Sequence, residues 1–497
     1  MNDAQRSYIR ISGGLILTCD GKNRRIDRGE IWVRGGKIVA LGNDGAWTPP
    51  DADAPVDTID AVGRIVMPGL INAHAHSYSA LLKGTVDTQP LDIYMLHVIA
   101  NSSNRSTREV YVSTMIDCIT MLRSGVTSVI DHFSQRPEMS VEAMISALRG
   151  YDDSGMRAVI APMFGDLPYA ETVPLGRAAA GSSPESGGPD PARYFAVLDE
   201  MLDLMPGFGD RFGLLMGVDG PQRCSPRLME MTGDFARRRG IGLHTHLLET
   251  KTQARMAPTG GFVRRMVDLG MLNEKSSLVH FVWCSDEDVA AASDAGVTVV
   301  HAATSNLHLG SGIPPLHKLI EAGIPVAFGT DGSNCGAPNM FEKLRMAATL
   351  ARVTEPDFER WFSASEMFRM SMTAGARALD REGEIGILAV DARADILVLD
   401  PGRHIHRPMG DVWNHMLYYE NGSSVEHVLV DGRRVIGDGR VLLFNEEAIL
   451  AEGEELVAKA RETAGQNDIA VQYPGYRDMV VEIMRGADSV ERLAKIK

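Results

Sequence analysis

The sequence predicts an α/β protein: a (β/α)8 TIM-type barrel of eight parallel strands, joined to a small β-sandwich formed from both chain ends. Three observations predict it. Five segments share one form, a helical-looking run, a glycine, then four to six mostly apolar residues: "MLRSGVTSVIDH", "YDDSGMRAVIAP", "ARRRGIGLHTHL", "ASDAGVTVVHAA" and "IEAGIPVAFGTD". Three more segments fit less strictly: "GRIVMPGLINAH", "RFGLLMGVDG" and "SSLVHFVWC". The two ends of the chain instead carry short strands with Gly-Gly and Asp-Gly turns.

Glycine is favoured just past a helix end, and a continuous apolar run after it reads as a strand buried on both faces. Eight such strands with helix-length spacers point to a parallel barrel or a doubly wound sheet. Eight is the number that closes a barrel. No GxGxxG or Walker A pattern follows any strand, which weakens a nucleotide-binding alternative. At the ends, "YIRISGGLILTCDG", "GEIWVRGGKIVALG", "ADILVLDPG" and "VEHVLVDGRRVIGDGRVLL" have the turn chemistry of tight hairpins. The expected division is a composite sandwich from residues 1–67 and 385–443, a barrel over 68–384, and a helical extension over 444–497 that packs outside or on another subunit. Residues 172–193, rich in Gly, Pro and Ser, read as a surface excursion or mobile lid.

Composition limits the partners. The 497 residues carry a net charge of −15 and a pI of about 5.4, which argues against nucleic acid or an anionic membrane. Five dispersed cysteines without a CxxC pair suit reduced thiols in a cytoplasmic protein. The N-terminus has no basic start followed by an apolar run, and no stretch approaches the roughly 20 apolar residues of a membrane span. A small molecule is the expected partner, in a homodimer or higher homo-oligomer.

In barrels of this kind catalytic groups sit at the C-terminal strand ends. Strand one ends at His74 and His76, which alternate along the strand and so face the same way. Strand five brings His244 and His246, strand six His280, and strand eight ends at Asp331. An HxH pair, a third histidine and an aspartate suit a divalent ion with an open position for water. A lone strand histidine is more often a hydrogen-bonded core residue. That reading, or simple exposure, holds for His97, His308, His317, His404, His406, His415 and His427. His132 and His301 stand evenly between a supporting role at the site and a structural one. For His74, His76, His246 and Asp331 the bland reading needs four independent coincidences.

These residues resemble the amidohydrolase superfamily, in the branch of cytosine deaminases, S-adenosylhomocysteine deaminases and triazine hydrolases. The signatures are "MPGLINAHAH", "HTHLLET", "LVHFVW", "TSNLHLGSG" and "FGTDGSNCGAPNMFEKLR", in order along nearly the whole chain. The resemblance implies one metal, zinc most often and iron in some members, held by His74, His76, His246 and Asp331. It assigns Glu249 as proton shuttle to the ring nitrogen and His280 as a contact for water and substrate. His246, with Glu249 three residues on, matches the family pattern, and His244 does not. Some members use two metals bridged by a carboxylated lysine at strand four; this chain has no lysine between Lys83 and Lys251. Where many relatives read roughly "PHAPYTCSP", this chain reads "GVDGPQRCSP", with Asp219 for the histidine and Arg223 for a small polar residue. Likewise His308 stands where lysine is common.

The function implied is hydrolytic deamination of an amino-substituted N-heterocycle of pyrimidine, purine, pterin or triazine type. Metal-activated water attacks the ring carbon, Asp331 takes its proton, Glu249 protonates the ring nitrogen, and ammonia leaves. The alternative is release of chloride or an alkylamine from a triazine-like ring, or cleavage of an amide or urea. A catalytically dead scaffold ranks below both, since every expected ligand is present. Expected substrate contacts are Gln89, Asp219, Arg223, Glu249, His280 and Asn306.

Overall fold

A computed structural model describes residues 7–51, 53–167, 169, 189–464 and 474–485. Of the expected excursion at 172–193, residues 172–188 lie outside the described residues.

Nine strands from the two chain ends form one hydrogen-bonded sheet. Five come from the N-terminal end (Tyr8–Leu17, Arg25–Arg34, Lys37–Asn43, Val56–Asp60, Ile65–Pro68) and four from the C-terminal end (Ile396–Leu399, Val425–Val430, Arg433–Gly437, Arg440–Val441). The seam is the antiparallel pairing of Ile65–Pro68 with Ile396–Leu399. The strands lie in a single continuous sheet, which curls back on itself. Beyond the Arg34–Lys37 hairpin, Ile38 N–H donates to Ala392 O and Ala394 N–H to Gly36 O. Ile11, Ile31, Ile38, Val66, Ile396 and Leu429 fill the space enclosed.

Between these ends run the barrel strands, labelled β1 (Leu70–His76), β2 (Val126–Asp131), β3 (Arg157–Ile160), β4 (Phe212–Leu214), β5 (His244–Leu247), β6 (Ser277–His280), β7 (Thr298–His301) and β8 (Val326–Phe328). Neighbours pair in parallel: β1 with β2, β2 with β3, β3 with β4, and β5 through β8 in sequence. Two links close the ring. A parallel bridge joins Met216, just past β4, to Leu243, just before β5. Beyond β8, Asp331 and Gly332 pair with Ala75 and His76 of β1, and Thr330 N–H donates to His74 O. The five repeat glycines, Gly125, Gly155, Gly240, Gly296 and Gly323, all have positive φ, as a helix-ending residue before a strand requires. Gly329 is needed for another reason: a Cβ there would lie 2.7 Å from His74 Cβ, so a side chain would force β8 away from β1.

The strands are apolar and buried because helices cover the ring. Serine starts three of these helices in capping boxes, Ser106 with Glu109, Ser285 with Asp288 and Ser363 with Glu366. The C-terminal helix Glu446–Ala464 packs on Thr107–Arg123, and Pro474–Arg485 packs on Leu91–Ser102 and Lys251–Arg255. Among the described residues no helix is long and apolar enough to cross a membrane.

A buried ion pair ties barrel to sheet. Arg157 at the start of β3 donates two bonds of 3.1 Å to Asp395, the residue before Ile396–Leu399, and the two side chains are 1% and 2% exposed. Asp395 also accepts from Asp431 N–H at 2.7 Å. Removing one partner strands the other charge, so Arg157→Ala is expected to lower unfolding free energy by about 3–5 kcal/mol in chemical denaturation. A loss under 1 kcal/mol would show that water reaches Asp395.

Candidate active site

The strand ends bring four predicted residues to one point. His74 and His76 leave β1 on the same side, His246 comes from β5, and Asp331 sits just beyond β8. His76 Nε2 lies 3.1 Å from Asp331 Oδ1 and 3.2 Å from His246 Nε2. His74 Nε2 is 3.5 Å from Asp331 Oδ1. Asp331 has φ of 63° and His280 φ of 74°, left-handed conformations that non-glycine residues seldom adopt and that cluster at functional sites.

Each imidazole is fixed from behind. His76 Nδ1 donates to His132 O at 2.8 Å, and His246 Nδ1 to Asp219 O at 2.8 Å. His74 Nδ1 faces His244 Nε2 at 2.8 Å, and His244 Nδ1 faces Ser277 Oγ at 2.6 Å. These bonds leave the Nε2 atoms of His74 and His76 facing Asp331, and that of His246 facing His76 Nε2. The buried Nε2 of His74 has no hydrogen-bond partner, which a polar atom in the interior seldom tolerates unless it binds something. His74, His76 and His246 offer three nitrogens within 4.8 Å of one another, and Asp331 meets the same limit with His74 and His280; nitrogens and a carboxylate with an orienting partner behind each ring fit a divalent ion of the zinc or iron kind. Burial pushes His74 well below the usual imidazole range, keeping it neutral as a ligand must be. Burial alone would raise Asp331, but His74 and His76 hold it well below the carboxylate range.

Beside this set stands Glu249, after β5, 3% exposed. Burial, helped by the negative Asp331, pushes it up to about 8. Ser311 Oγ donates to its Oε1 at 3.3 Å, leaving Oε2 3.6 Å from His280 Nε2. His280 Nε2 is also 3.8 Å from Asp331 Oδ2, so one imidazole edge lies between two carboxyls. Its Nδ1 donates to Asn306 Oδ1 at 2.8 Å, and burial lowers its pKa.

The expected substrate contacts divide. Glu249, His280, Asp219 and Arg223 line the pocket over the donor set, together with Tyr78, Tyr94, Met95, Met163, Gln253 and Cys335. Gln89 does not line it. It is half-buried in the turn before helix Leu91–Ser102, and that helix presents Leu91, Tyr94, Met95 and Val98 instead. Asn306 is fully buried behind His280 and is no part of the pocket wall. Asp219 lines the wall, but both its oxygens are engaged: Oδ2 by Arg223 Nη1, and Oδ1 3.2 Å from His246 Nδ1. Arg223 and His246 together overcome the burial penalty and hold Asp219 well below the carboxylate range. It therefore braces His246. His132, through its carbonyl, and His244 brace His76 and His74 from behind, and His301 is buried with its ring 6.1 Å from Phe328. The sequence reading missed Ser305, which donates to Asp331 Oδ2 at 2.5 Å, and Ser311. Both lie in "TSNLHLGSG", so the motif was visible and the two hydroxyl roles were not.

Histidines and an aspartate that could hold a metal, gathered at the C-terminal mouth of a closed parallel barrel beside a buried glutamate, are an arrangement suited to a hydrolase. The Amidohydrolase family model matches residues 65–435. The 5'-deoxyadenosine deaminase of Methanosarcina acetivorans is 30% identical over 463 residues, 91% of this chain and 99% of that one. The 5-methylthioadenosine/S-adenosylhomocysteine deaminase of Syntrophobacter fumaroxidans is 30% identical over 466 residues, 90% of this chain and 97% of that one. Among solved structures, an adenosine deaminase from Xanthomonas campestris with bound zinc superposes with a TM-score of 0.79 at 24% identity, covering 91% of this chain and 98% of that one. An atrazine chlorohydrolase from Arthrobacter aurescens TC1, complexed with zinc and atraton, gives 0.79 at 24% identity, covering 90% and 100%. The chain belongs to the amidohydrolase family. It is a metal-dependent hydrolytic deaminase, acting on a carbon–nitrogen bond of an amino-substituted heterocycle.

Proposed function

We propose that the substrate is a purine nucleoside derivative carrying an exocyclic amine, of the 5'-substituted adenosine kind, and that one zinc ion per chain serves the reaction. One observation carries the reading: Glu249 Oε2 and Asp331 Oδ2 lie 3.6 and 3.8 Å from the same His280 nitrogen. Two carboxyls facing one point can take a proton from water on one side and deliver a proton to a ring nitrogen on the other. The relatives named for adenosine derivatives and the zinc-bound fold neighbours support the choice of ring and ion.

His74, His76, His246 and Asp331 would hold the ion, which when bound acidifies water and polarises the site. His280, neutral and with Nδ1 committed to Asn306, offers its Nε2 lone pair to orient the attacking water. Asp331, its Oδ2 fixed by Ser305, accepts a proton from that water and returns it to the departing amine. Glu249, kept protonated at neutral pH by burial, donates to the ring nitrogen as charge builds there.

Zinc-loaded enzyme is expected to release ammonia from at least one of 5'-deoxyadenosine, 5'-methylthioadenosine and adenosine, with kcat/KM of about 10⁴ M⁻¹s⁻¹ or more. Release of chloride or an alkylamine from triazines, with no ammonia from any purine, would overturn the reading in favour of the other leaving groups. Five free, buried cysteines support a cytoplasmic setting. The exposed Val353, Phe358 and Trp361, at 54%, 70% and 41%, support a subunit contact.

A further inference from the structure

Asp331 has φ of 63°, and a residue in that left-handed region persists only where the structure around it fixes it. The residue before it is fixed by β1. Thr330 N–H donates to Asn72 Oδ1 at 3.0 Å, and Asn72 Nδ2 donates to Thr330 Oγ1 at 2.8 Å. The residues after it are fixed from elsewhere. Ser333 N–H donates to Ser79 Oγ at 2.7 Å, and Ser79 Oγ–H donates to His76 O at 2.7 Å. Ser333 Oγ–H donates to Asp117 Oδ1 at 2.6 Å. Ser333 thus ties the turn after Asp331 to the turn after His76 and to helix Thr107–Arg123, which carries Asp117.

A carboxylate is a costly choice at that place. Asp117 is 2% exposed, among buried helix neighbours that are largely apolar, such as Met115, Cys118, Met121 and Leu122. Burial pushes its carboxyl up to about 6, against the pull of Lys83 and the Ser333 hydroxyl. Lys83 Nζ lies 3.6 Å from the same oxygen but is 39% exposed, so its charge is partly hydrated and compensates in part. An apolar residue would fill this space without the cost of burying a charge. One turn earlier, Ser113 Oγ donates to Ser77 O at 2.7 Å. The polar face of this helix therefore holds both turns that follow ligand residues, and Asp117 is the member that reaches the turn after Asp331.

We propose that Asp117 is a positioning residue for Asp331: through Ser333 it fixes the strained turn that aims this carboxylate at the metal and the attacking water. Asp117 itself does not line the pocket. Released at Ser333, the turn would relax from its left-handed conformation and carry Oδ1 away from His74 and His76, now 3.5 and 3.1 Å distant. The metal part of the proposal rests on the one-metal reading of the site.

Two variants separate the bond from the charge. Asp117→Asn keeps an oxygen for the Ser333 hydroxyl, whereas Asp117→Leu fills the space and loses the bond. With cobalt(II) loaded in place of zinc, the leucine variant is expected to change the visible absorption spectrum. It should also bind the ion about 3- to 10-fold more weakly, less than the loss of a group bonded directly to a ligand. Its kcat for ammonia release should fall about tenfold with KM within about twofold, because a displaced reacting group costs turnover. The asparagine variant should restore spectrum, affinity and kcat. A leucine variant that melts lower but keeps all three would overturn the proposal, and so would an asparagine variant as impaired as the leucine one. If Asp117→Leu does not fold, Ser333→Ala removes the same bond from its other end, and an unchanged cobalt spectrum and affinity there would overturn the proposal. Spectrum and affinity need no substrate, so they stand apart from the deaminase reading. If wild type binds no divalent ion, the one-metal reading fails and the turn is tested in metal-free protein. Amides of residues 331–335 should then exchange hydrogen about tenfold faster in Asp117→Leu than in wild type or Asp117→Asn. Equal exchange in all three would overturn the positioning role.

Discussion

Glu249→Gln is expected to keep its metal and lose roughly 10²- to 10⁴-fold in turnover. The carboxyl takes no part in the proposed donor set of His74, His76, His246 and Asp331. Its position is set by neighbours that a glutamine can also satisfy. Ser311 donates to Oε1, and the Glu249 backbone N–H donates to the Gln253 side chain at 2.8 Å. The amide is close to isosteric, so shape and packing persist. What disappears is the proton. Burial places the Glu249 pKa at about 8, so at neutral pH the acid form is the resident one, and the amide has no equivalent proton to give. Steady-state ammonia release and metal analysis on the same preparation check both halves. Full activity in the variant would remove Glu249 from the chemistry, and loss of metal with activity would give it a structural role.

Much of this site was legible because its signals are local. A glycine followed by an apolar run marks five of the eight strands, and the i, i+2 spacing of His74 and His76 sends both rings the same way. The eight strands and the strand-end positions of His246, His280 and Asp331 followed from that. What was not legible depends on side chains meeting across the barrel. Asp219 and Arg223 stood out because "GVDGPQRCSP" departs from the pattern of relatives. No spacing rule says that one oxygen of Asp219 would go to Arg223 and the other toward His246, 27 residues on. Asn306 lies in a visible motif, but its turn aims it at the back of His280. Gln89 is polar and follows a strand-one motif, yet the helix after it presents apolar residues to the pocket. The same limit applies to the sheet: hairpin turns are local, whereas pairing of Ile65–Pro68 with Ile396–Leu399 spans more than 300 residues and leaves no periodic trace.

His246→Ala is expected to strip the metal, leaving far less than the one ion per chain proposed for the wild type, and to abolish ammonia release. His246 Nε2 reaches the proposed donor set from the β5 side, 3.2 Å from His76 Nε2, while His280, which also groups with His74 and Asp331, has its Nε2 between Glu249 and Asp331. His244 is committed to His74, and His132 lies behind His76. A second substitution separates a ligand from its support. Asp219→Asn retains the backbone oxygen that accepts from His246 Nδ1 at 2.8 Å but loses the carboxylate 3.2 Å from the same nitrogen. Groups that orient a ligating histidine typically contribute 10- to 100-fold in metal affinity, so Asp219→Asn should fall between wild type and His246→Ala in equilibrium dialysis against zinc. If Asp219 instead touched substrate and nothing else, the asparagine variant would hold zinc as tightly as wild type and show only a raised KM. Two ions per wild-type chain in the same measurement would overturn the one-metal reading, because the carboxylated-lysine bridge of two-metal relatives has no lysine to form from between Lys83 and Lys251.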